Sequence, residues 1–358
     1  MGKSLQQILG YVPLTKAVQA TTSGIPQPFP AAFMQSRNKV IGHKASYVRW
    51  TGERRTARIT KYGSPARKAD LRPVGEKDIR LIHAFEDQTL NPLMMKYLRA
   101  AESHEFDMGL QEVKRQVKEF TTKFMNLRIA AVAQVLRRGQ LDYDADGNLL
   151  PSASGSVEAH TFDMSANHQN QLNGIISASW ALNSTDIPLQ LRNLKKQARR
   201  DTGYPLKYAL YGENIPTYLT QNDYVLDYLA RNPKQNADFL SSGEIGELFG
   251  LTWVPVYEAF YEDSAGTNQD LWAADAVTFT PEVSDDWWDV IEGSFEVPTS
   301  INVMSDGEAA MRSLKTVHGM GGYGVVGHNP PSVTGYYFDT FIPCLKTPDV
   351  VYQADVTP

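Results

Sequence analysis

The longest regular pattern of apolar positions runs from Met108 to Arg138. Apolar side chains recur there at steps of three and four residues, which places them on one face of a helix. The stripe consists of Leu110, Val113, Val117, Phe120, Phe124, Leu127, Ala131 and Val135. Asp107 is the predicted N-cap and Gly139 the predicted C-cap. At 1.5 Å per residue this helix would be about 45 Å long, so the pattern predicts a spine.

A second pattern, over residues 43–62, predicts a two-stranded ribbon. The strand-forming residues Tyr47 and Val48 precede Gly52, and Thr56 and Ile59 follow it, so Gly52 is the expected turn. The ribbon has few apolar side chains, and isolated hairpins are marginally stable in water. We therefore expect it to rest on another surface.

The rest of the chain predicts a mixture of helices and strands. Prolines in alternate positions within residues 21–33 favour an extended strip. The predicted helices cover 186–201 and 217–231, and the predicted strands cover 141–150, 157–164, 207–211, 251–261, 274–281 and 350–356. The predicted fold class is α+β.

Composition excludes several classes of protein. The 358 residues carry a formal net charge of −5, which is too small to indicate a nucleic-acid-binding or a strongly acidic protein. The sequence contains no run of about 18 apolar residues, the length that is needed to span a bilayer. The N-terminal residues lack the apolar region of a secretion signal. The single cysteine, Cys344, excludes an internal disulfide, fits a reducing cytoplasm and is expected in the core.

The charge is distributed unevenly along the chain. Residues 1–80 carry 15 Lys and Arg against four acids, whereas residues 81–358 carry 20 basic and 36 acidic residues. A basic leading segment on an acidic body indicates either an arm that binds nucleic acid or an arm that lies on another copy of the chain.

Three motifs could carry chemistry, and each has a plainer interpretation. Gly319–Gly324 matches G-x-G-x-x-G, but a helix-like stretch, 308–318, precedes it and two prolines follow, which favours a flexible loop over a dinucleotide site. Asp142, Asp144 and Asp146 resemble half of a calcium loop, but the twelfth position is Ala153, so a turn is expected. His160, Asp163 and His168 match no familiar metal-ligand spacing, and solvent-facing or hydrogen-bonded roles are expected for them.

A set of short motifs follows in a fixed order within residues 180–281. They are Thr202-Gly203-Tyr204-Pro205, Ala209-Leu210-Tyr211-Gly212, Gly243-Glu244-Ile245, Leu248–Trp253 and Tyr261-Glu262-Asp263. In order and spacing this set resembles the lambda-type phage major capsid protein E family. The resemblance continues through Gly321–Gly324, Pro330-Pro331-Ser332 and Phe341-Ile342-Pro343. Order and spacing match over roughly residues 20–358.

The resemblance implies the tailed-phage major capsid fold. Its parts would be an N-terminal arm (1–40), an extended hairpin called the E-loop (41–80), a peripheral domain (81–175) with spine helix 108–138, an axial domain (176–340), and a strand returning to the peripheral domain (341–358). In this fold the E-loop lies on the neighbouring subunit. The candidate contact residues between subunits are Trp50, Arg54, Arg55, Arg58 and Lys61.

The implied function is that of a major capsid protein, not an enzyme. Copies of the chain would form hexamers and pentamers, and these an icosahedral shell in the virion. The shell would assemble in the host bacterial cytoplasm and enclose double-stranded DNA without sequence-specific binding. The expected partners are scaffolding and portal proteins and a decoration protein. No membrane, cofactor, metal or catalytic residue is expected.

Three alternatives stay open at this point. An encapsulin-like compartment shell would use the same fold. A nucleotide-binding oxidoreductase would depend on Gly319–Gly324 alone. A DNA-binding module would use the basic residues of the N-terminal segment 1–80, and its affinity would fall steeply with salt.

Overall fold

The computed structural model describes residues 8–49, 75–90, 98, 104–144, 149–150, 158–169, 174–231, 245–257, 260–262, 268–270, 272–299, 314–328 and 331–357. The helices in these ranges are α1 (Tyr11–Thr22), α2 (Ala31–Met34), α3 (His104–Arg138), α4 (Ile187–Asp201), α5 (Ile215–Gln221) and α6 (Asp223–Arg231). The strands are β1 (Ser36–Lys39), β2 (Lys44–Arg49), β3 (Gly75–Arg80), β4 (Ile82–Leu90), β5 (Gln140–Tyr143), β6 (Glu158–Thr161), β7 (Leu206–Tyr211), β8 (Glu247–Leu248), β9 (Leu251–Pro255), β10 (Phe260–Glu262), β11 (Asn268–Asp270), β12 (Ala276–Pro281), β13 (Trp288–Glu292), β14 (Ser294–Pro298), β15 (Leu314–His318), β16 (Gly321–His328), β17 (Pro331–Leu345) and β18 (Tyr352–Asp355).

Helix α3 is the predicted spine. Most of the predicted stripe is buried, including Val113, Phe120 and Phe124, because apolar positions at helical spacing share the face that packs on the sheet. The helix ends where predicted, at Gly139, whose φ of +66° is the left-handed conformation of a C-cap. The predicted N-cap is wrong, because Asp107 lies inside the helix, which already includes His104.

The first module consists of α3 packed on a sheet in the order β1-β13-β17-β16, with β4 also paired to β17. Strand β17 pairs antiparallel with β16, β4 and β13 along its length. The rings of Phe120 on α3 and Tyr337 on β17 stack with centroids 4.4 Å apart. Apolar side chains on one face of a sheet and one stripe of a helix form this core.

The second module contains the sheet β18-β12-β7-β9-β8 and the helices α4, α5 and α6. Helix α4 starts and ends as predicted: the carboxylate of Asp186 accepts a hydrogen bond from the Leu189 N–H at 2.9 Å. The predicted helix 217–231 is two helices. They separate at the buried Asn222, whose side-chain oxygen accepts from the Val225 N–H at 3.1 Å and caps α6. The predicted strand 251–261 is likewise split, into β9 and β10.

The N-terminal segment is partly folded onto its own subunit, whereas the sequence analysis considered an arm that binds nucleic acid or lies on another copy of the chain. Helix α1 packs on β16 and α3 through the buried Leu14 and Val18. The predicted extended strip 21–33 is wrong at both ends, because Thr21 and Thr22 belong to α1 and Ala31–Met34 form α2, whose Phe33 is fully buried. The indole N–H of Trp288 donates to the Phe33 carbonyl at 2.9 Å.

The last segments differ from the predicted boundaries. Strands β13 and β16 belong to the sheet of the first module, and β14 and β15 pair with each other in a separate two-stranded sheet. All four lie within residues 176–340, which were predicted as the axial domain. Strand β18 pairs with β12 in the second module and not with the sheet of α3 as predicted. The reason is that β17 runs without a break through residue 340, so the chain changes modules only after Leu345. Gln353 still contacts the spine, since its side-chain N–H donates to the Leu136 carbonyl at 2.8 Å.

Candidate functional site

The base of the predicted E-loop is a two-stranded stem made of β2 and β3. Its inward side chains Ala45, Tyr47 and Ile79 are buried. The Tyr47 ring lies 6.4 Å from that of Phe162, between centroids, in the loop after β6. At the bottom of the stem the Leu81 N–H donates to the His43 carbonyl at 3.0 Å. These contacts hold the base of the hairpin against its own subunit.

An ion pair adds to this anchor. The Lys77 ammonium on β3 contacts the carboxylate of Asp163. Asp163 has a φ of +48°, a left-handed conformation that is uncommon for residues other than glycine. Sequence reasoning expected a solvent-facing or hydrogen-bonded role for Asp163 and did not identify Lys77 as its partner, because the two residues are 86 positions apart.

The register of the stem identifies a partner of β2 that the sequence analysis did not predict. Tyr47 pairs with Lys77 and Arg49 with Gly75, so β2 pairs with residues 75–80. The predicted turn at Gly52 and the predicted second strand around Thr56 and Ile59 lie outside the described residues. The distant partner was missed because strand propensity identifies strands but not their partners. The predicted contact residues Trp50, Arg54, Arg55, Arg58 and Lys61 lie between the two strands in sequence and outside the described residues.

A buried charge cluster joins the spine helix to the sheet. The guanidinium of Arg128 on α3 donates to both carboxylate oxygens of Asp339 on β17, at 2.7 and 2.6 Å. It also donates to Glu292 on β13 at 3.2 Å. Burial alone would lower the pKa of Arg128, but the carboxylates of Asp339 and Glu292 outweigh it and raise that pKa above its ordinary value. Arg128 therefore stays charged, whereas burial raises the pKa of Asp339 and the contact with Arg128 opposes that rise. The hydrogen bonds of the cluster fix the rotation of α3 over the sheet.

Asp142 is not a turn residue. It lies in β5, is buried, and pairs with Arg138 at 2.6 Å between the guanidinium nitrogen and the carboxylate oxygen. The chain reverses between Tyr143 and Leu149, which form an antiparallel bridge. Asp146 lies outside the described residues. The prediction of turn residues is thus wrong for Asp142, because the chain is still in strand β5 at this position, where Asp142 pairs with Ala159 on β6.

The three residues considered as a metal cluster have separate contacts. His168 is buried, with its Nδ1 3.3 Å from the Val351 carbonyl oxygen and its ring 4.3 Å from that of Tyr352, between centroids. His160 packs edge-on against Tyr143, and Asp163 pairs with Lys77 as described. Within the described ranges no group of three or more His, Cys, Asp or Glu side chains could hold a metal ion.

The Gly-rich segment is neither a flexible loop nor a dinucleotide turn. Residues 314–318 form β15, not the end of a helix, and Gly321–His328 form β16 paired with β17. A Cβ at Gly324 would lie 2.7 Å from the carbonyl oxygen of Leu9, and one at Gly319 would lie 2.6 Å from the Glu292 carboxylate. These glycines therefore allow close packing between strands and the N-terminal segment.

Cys344 lies in the core, as predicted. It is fully buried on β17, and burial raises the pKa of its thiol far above the ordinary value, with Lys346 lowering it less. A thiol in this environment is chemically inert. None of the helices among the described residues has both the length and the apolar content needed to cross a membrane.

Comparison with known proteins decides the family. The model for phage major capsid protein E matches residues 11–286, which is 276 of the 358 residues. The chain belongs to the phage major capsid protein E family. No curated protein sequence matches it. It is a major capsid protein, a structural component of the virion shell. The family match favours a phage shell over the encapsulin-like compartment.

Two solved structures share the fold of this capsid protein. A prophage capsid protein from Escherichia coli CFT073 is 14% identical with a TM-score of 0.51, over 79% of this chain and 80% of its own. A phage-related protein from Bordetella bronchiseptica RB50 is 11% identical with a TM-score of 0.53, over 96% and 97%. At these identities the likeness concerns the fold alone, and it is the α+β tailed-phage capsid fold predicted from the sequence.

Proposed function

We propose that copies of this capsid protein assemble through hexamers and pentamers into an icosahedral shell around the double-stranded DNA of a phage. The observation that carries the proposal is the family match over residues 11–286. The stem of the E-loop supports it, because a hairpin anchored at its base on one subunit can reach a second one. Enclosure of DNA in this proposal needs no sequence-specific contact.

The E-loop is the proposed contact between subunits. Residues 50–74 join the two stem strands and contain seven Lys and Arg against two acids. Trp50 is the proposed apolar anchor. The proposed charged contacts to the acidic body of a neighbour are Arg54, Arg55, Arg58 and Lys61. Opposite charges would steer the loop to that surface before the apolar contact forms.

The remaining parts of the proposal concern organisation and partners. The first module corresponds to the proposed peripheral domain and the second to the proposed axial domain around the capsomer axis. Scaffolding and portal proteins are the proposed assembly partners in the bacterial cytoplasm, and a decoration protein is the proposed outer partner. The proposed role is structural, without catalysis, cofactor or metal.

Electron microscopy of the purified protein tests the proposal. We expect negative-stain images of protein expressed with its phage's scaffolding protein to show rings of five or six subunits or closed shells. Size-exclusion chromatography should give particles far larger than the 39.9 kDa subunit. A stable monomer at high concentration, with and without the scaffolding protein, would contradict the proposal.

A nucleotide-binding oxidoreductase predicts a different result. An absorbance spectrum of the purified protein would then show bound nucleotide, and the particle would be small. Because Gly321–His328 form a paired strand, we expect no such absorbance.

A further inference from the structure

Helix α4 presents a row of cations to solvent. Arg192, Lys196, Arg199 and Arg200 are exposed, and none of them has an ion-pair or hydrogen-bond partner among the described residues. The helix contains a single acid, Asp201, whose carboxylate accepts hydrogen bonds from its own helix. The opposite face of α4 is buried in the second module. This cationic face stands on a part of the chain, residues 81–358, that is strongly acidic overall.

A groove of about 440 Å³ runs beside the cationic face. Its apolar walls are Pro188, Leu189, Leu191, Tyr228 and Phe249, and its charged residues are Arg192, Lys195 and Asp186. The carboxylate of Asp186 accepts a hydrogen bond from the Leu189 N–H at the start of α4, so the two cations dominate the rest of the rim. Leu189 is 39% exposed. A groove with apolar walls and a cationic rim fits a partner that offers both apolar and acidic side chains.

The wall of the groove formed by Phe249 is held in place. Phe249 has a φ of +55°, which is rare for a bulky residue, and its ring lies 4.7 Å from that of Tyr228, between centroids. The Lys195 ammonium donates to the Gly250 carbonyl at 3.1 Å and also to the Phe249 carbonyl. A strained backbone that is fixed in this way is typical of a surface that binds something.

The same chain carries a segment of opposite charge. Residues 258–270 contain four acids and no Lys or Arg, together with the aromatic residues Phe260 and Tyr261. Strands β10 and β11 form an antiparallel hairpin in this segment, with Phe260 opposite Asp270 and Glu262 opposite Asn268. The alternation of a β-ribbon puts these four positions on one face. Two acidic positions and an aromatic position therefore share one side of the hairpin.

The two surfaces belong to different elements of the subunit. Helix α4 packs against α6, whereas β10 packs against the spine helix α3. A symmetric contact between two copies of α4 would bring like charges together. A head-to-tail contact instead joins two different patches of the same chain, and repetition around an axis closes a ring.

We propose that the cationic face of α4 and its groove bind the acidic β10–β11 hairpin of the next copy around the capsomer ring. The inference rests on the proposed function and adds the surface through which neighbouring copies recognise each other. Double-stranded DNA is the other partner that a cationic face could take. The apolar groove argues against it, because phosphate binding needs cations but no apolar cavity.

Paired charge reversals test this contact. One variant carries Arg192→Glu and Lys196→Glu, and the other carries Glu262→Lys and Asp270→Lys. Each variant alone opposes like charges at every ring contact, so we expect about tenfold weaker association, the change that reversing two exposed charge pairs gives. A 1:1 mixture restores opposite charges wherever the variants alternate, so association should recover. Alternation closes only in rings with an even number of subunits, so the mixture should form six-membered rings and not five-membered ones.

Mass photometry and electron microscopy measure the ring sizes, and circular dichroism checks that each variant is folded. Arg192, Lys196 and Asp270 are exposed, so we expect the substitutions to leave the fold intact. If either reversal unfolds the protein, Gln replaces the reversed residues, and the neutral variant should associate more weakly than the wild type but less weakly than a charge reversal would. The charge-matched control carries Lys114→Glu and Lys118→Glu on the exposed side of α3. A labelled Glu262→Lys and Asp270→Lys variant should join rings with the α4 variant. It should not join rings with this control, because the control keeps the cationic face of α4.

Three results would overturn the inference. The first is an α4 variant that assembles as the wild type does. The second is a mixture of folded variants that shows no recovery. The third is an α4 variant that assembles normally but no longer binds double-stranded DNA, which would assign the face to nucleic acid. If the wild-type protein forms neither rings nor shells, the proposed function fails together with the inference, and that result is distinct from the other three.

Discussion

Arg128 illustrates how one residue sets the geometry of the first module. Its two hydrogen bonds to Asp339 and one to Glu292 connect α3, β17 and β13 at a single buried point. A buried ion pair adds little over well-packed apolar residues, but removal of one partner leaves an uncompensated buried charge. The cluster therefore specifies the arrangement of the module, and partial removal should be costly.

Replacement of Arg128 by Met should lower the free energy of unfolding by about 3–5 kcal/mol, because Asp339 would stay buried without its partner. Chemical denaturation followed by circular dichroism measures the change. The double variant Arg128→Met with Asp339→Leu should be less destabilised than Arg128→Met alone. A loss below about 1 kcal/mol in the single variant would mean that Asp339 is not held by Arg128.

A close packing contact at Gly324 gives a second prediction for a single residue. Gly324→Ala would place a Cβ 2.7 Å from the Leu9 carbonyl oxygen, a backbone atom that cannot rotate away. We expect a loss of about 1–3 kcal/mol, the usual cost of overpacking. The matched control is Gly246→Ala, where nothing lies within 4 Å of the new Cβ. Equal melting temperatures for the two variants would contradict the role assigned to Gly324.

The spine helix carries the prediction for a whole element. Phe120→Ala or Phe124→Ala should each lower the free energy of unfolding by about 3–5 kcal/mol, since both rings are buried against the sheet. Lys118→Ala on the exposed face should change it by less than about 0.5 kcal/mol. Thermal melts that rank Lys118 with the two phenylalanines would mean that the helix packs through another face.

Elements were predictable from the sequence where their cause is local. The periodic stripe and Gly139 give α3, and Asp186 with Ile187-Pro188 gives α4. Helix α1 was missed because its sequence has a proline and β-branched residues, and packing on β16 outweighs that weak propensity.

Pairings between distant residues could not be predicted. The partner of β2 lies beyond a 25-residue connection, and Asp339 lies 211 positions after Arg128. For the same reason the Lys77–Asp163 anchor of the hairpin was missed, although the hairpin itself was expected. The candidate contact residues of the E-loop lie outside the described residues and stay a prediction.

At the scale of the whole molecule, the basic E-loop should act in assembly and not in folding. Change of Arg54, Arg55 and Arg58 together to Glu should leave the circular dichroism spectrum unchanged and reduce the rate of assembly seen by light scattering. Surface pairs contribute only about 0–1 kcal/mol each, but a shell repeats them many times. Rising salt should slow the wild type in the same way, because the Debye length falls to about 3 Å at 1 M. Unchanged assembly of the triple variant would place the loop against solvent or DNA.

The position of β16 and β17 has a consequence for synthesis of the chain on the ribosome. Helix α1, β1 and β4 all pack on strands from the last quarter of the sequence, and Thr15 bonds to Gly322 across 307 positions. Contacts over such distances slow folding, and here they cannot form until translation is nearly complete. A nascent chain therefore has no finished first module to offer a neighbour. Incomplete chains released early should be excluded from the shell, since they lack the strand on which their own N-terminal half folds.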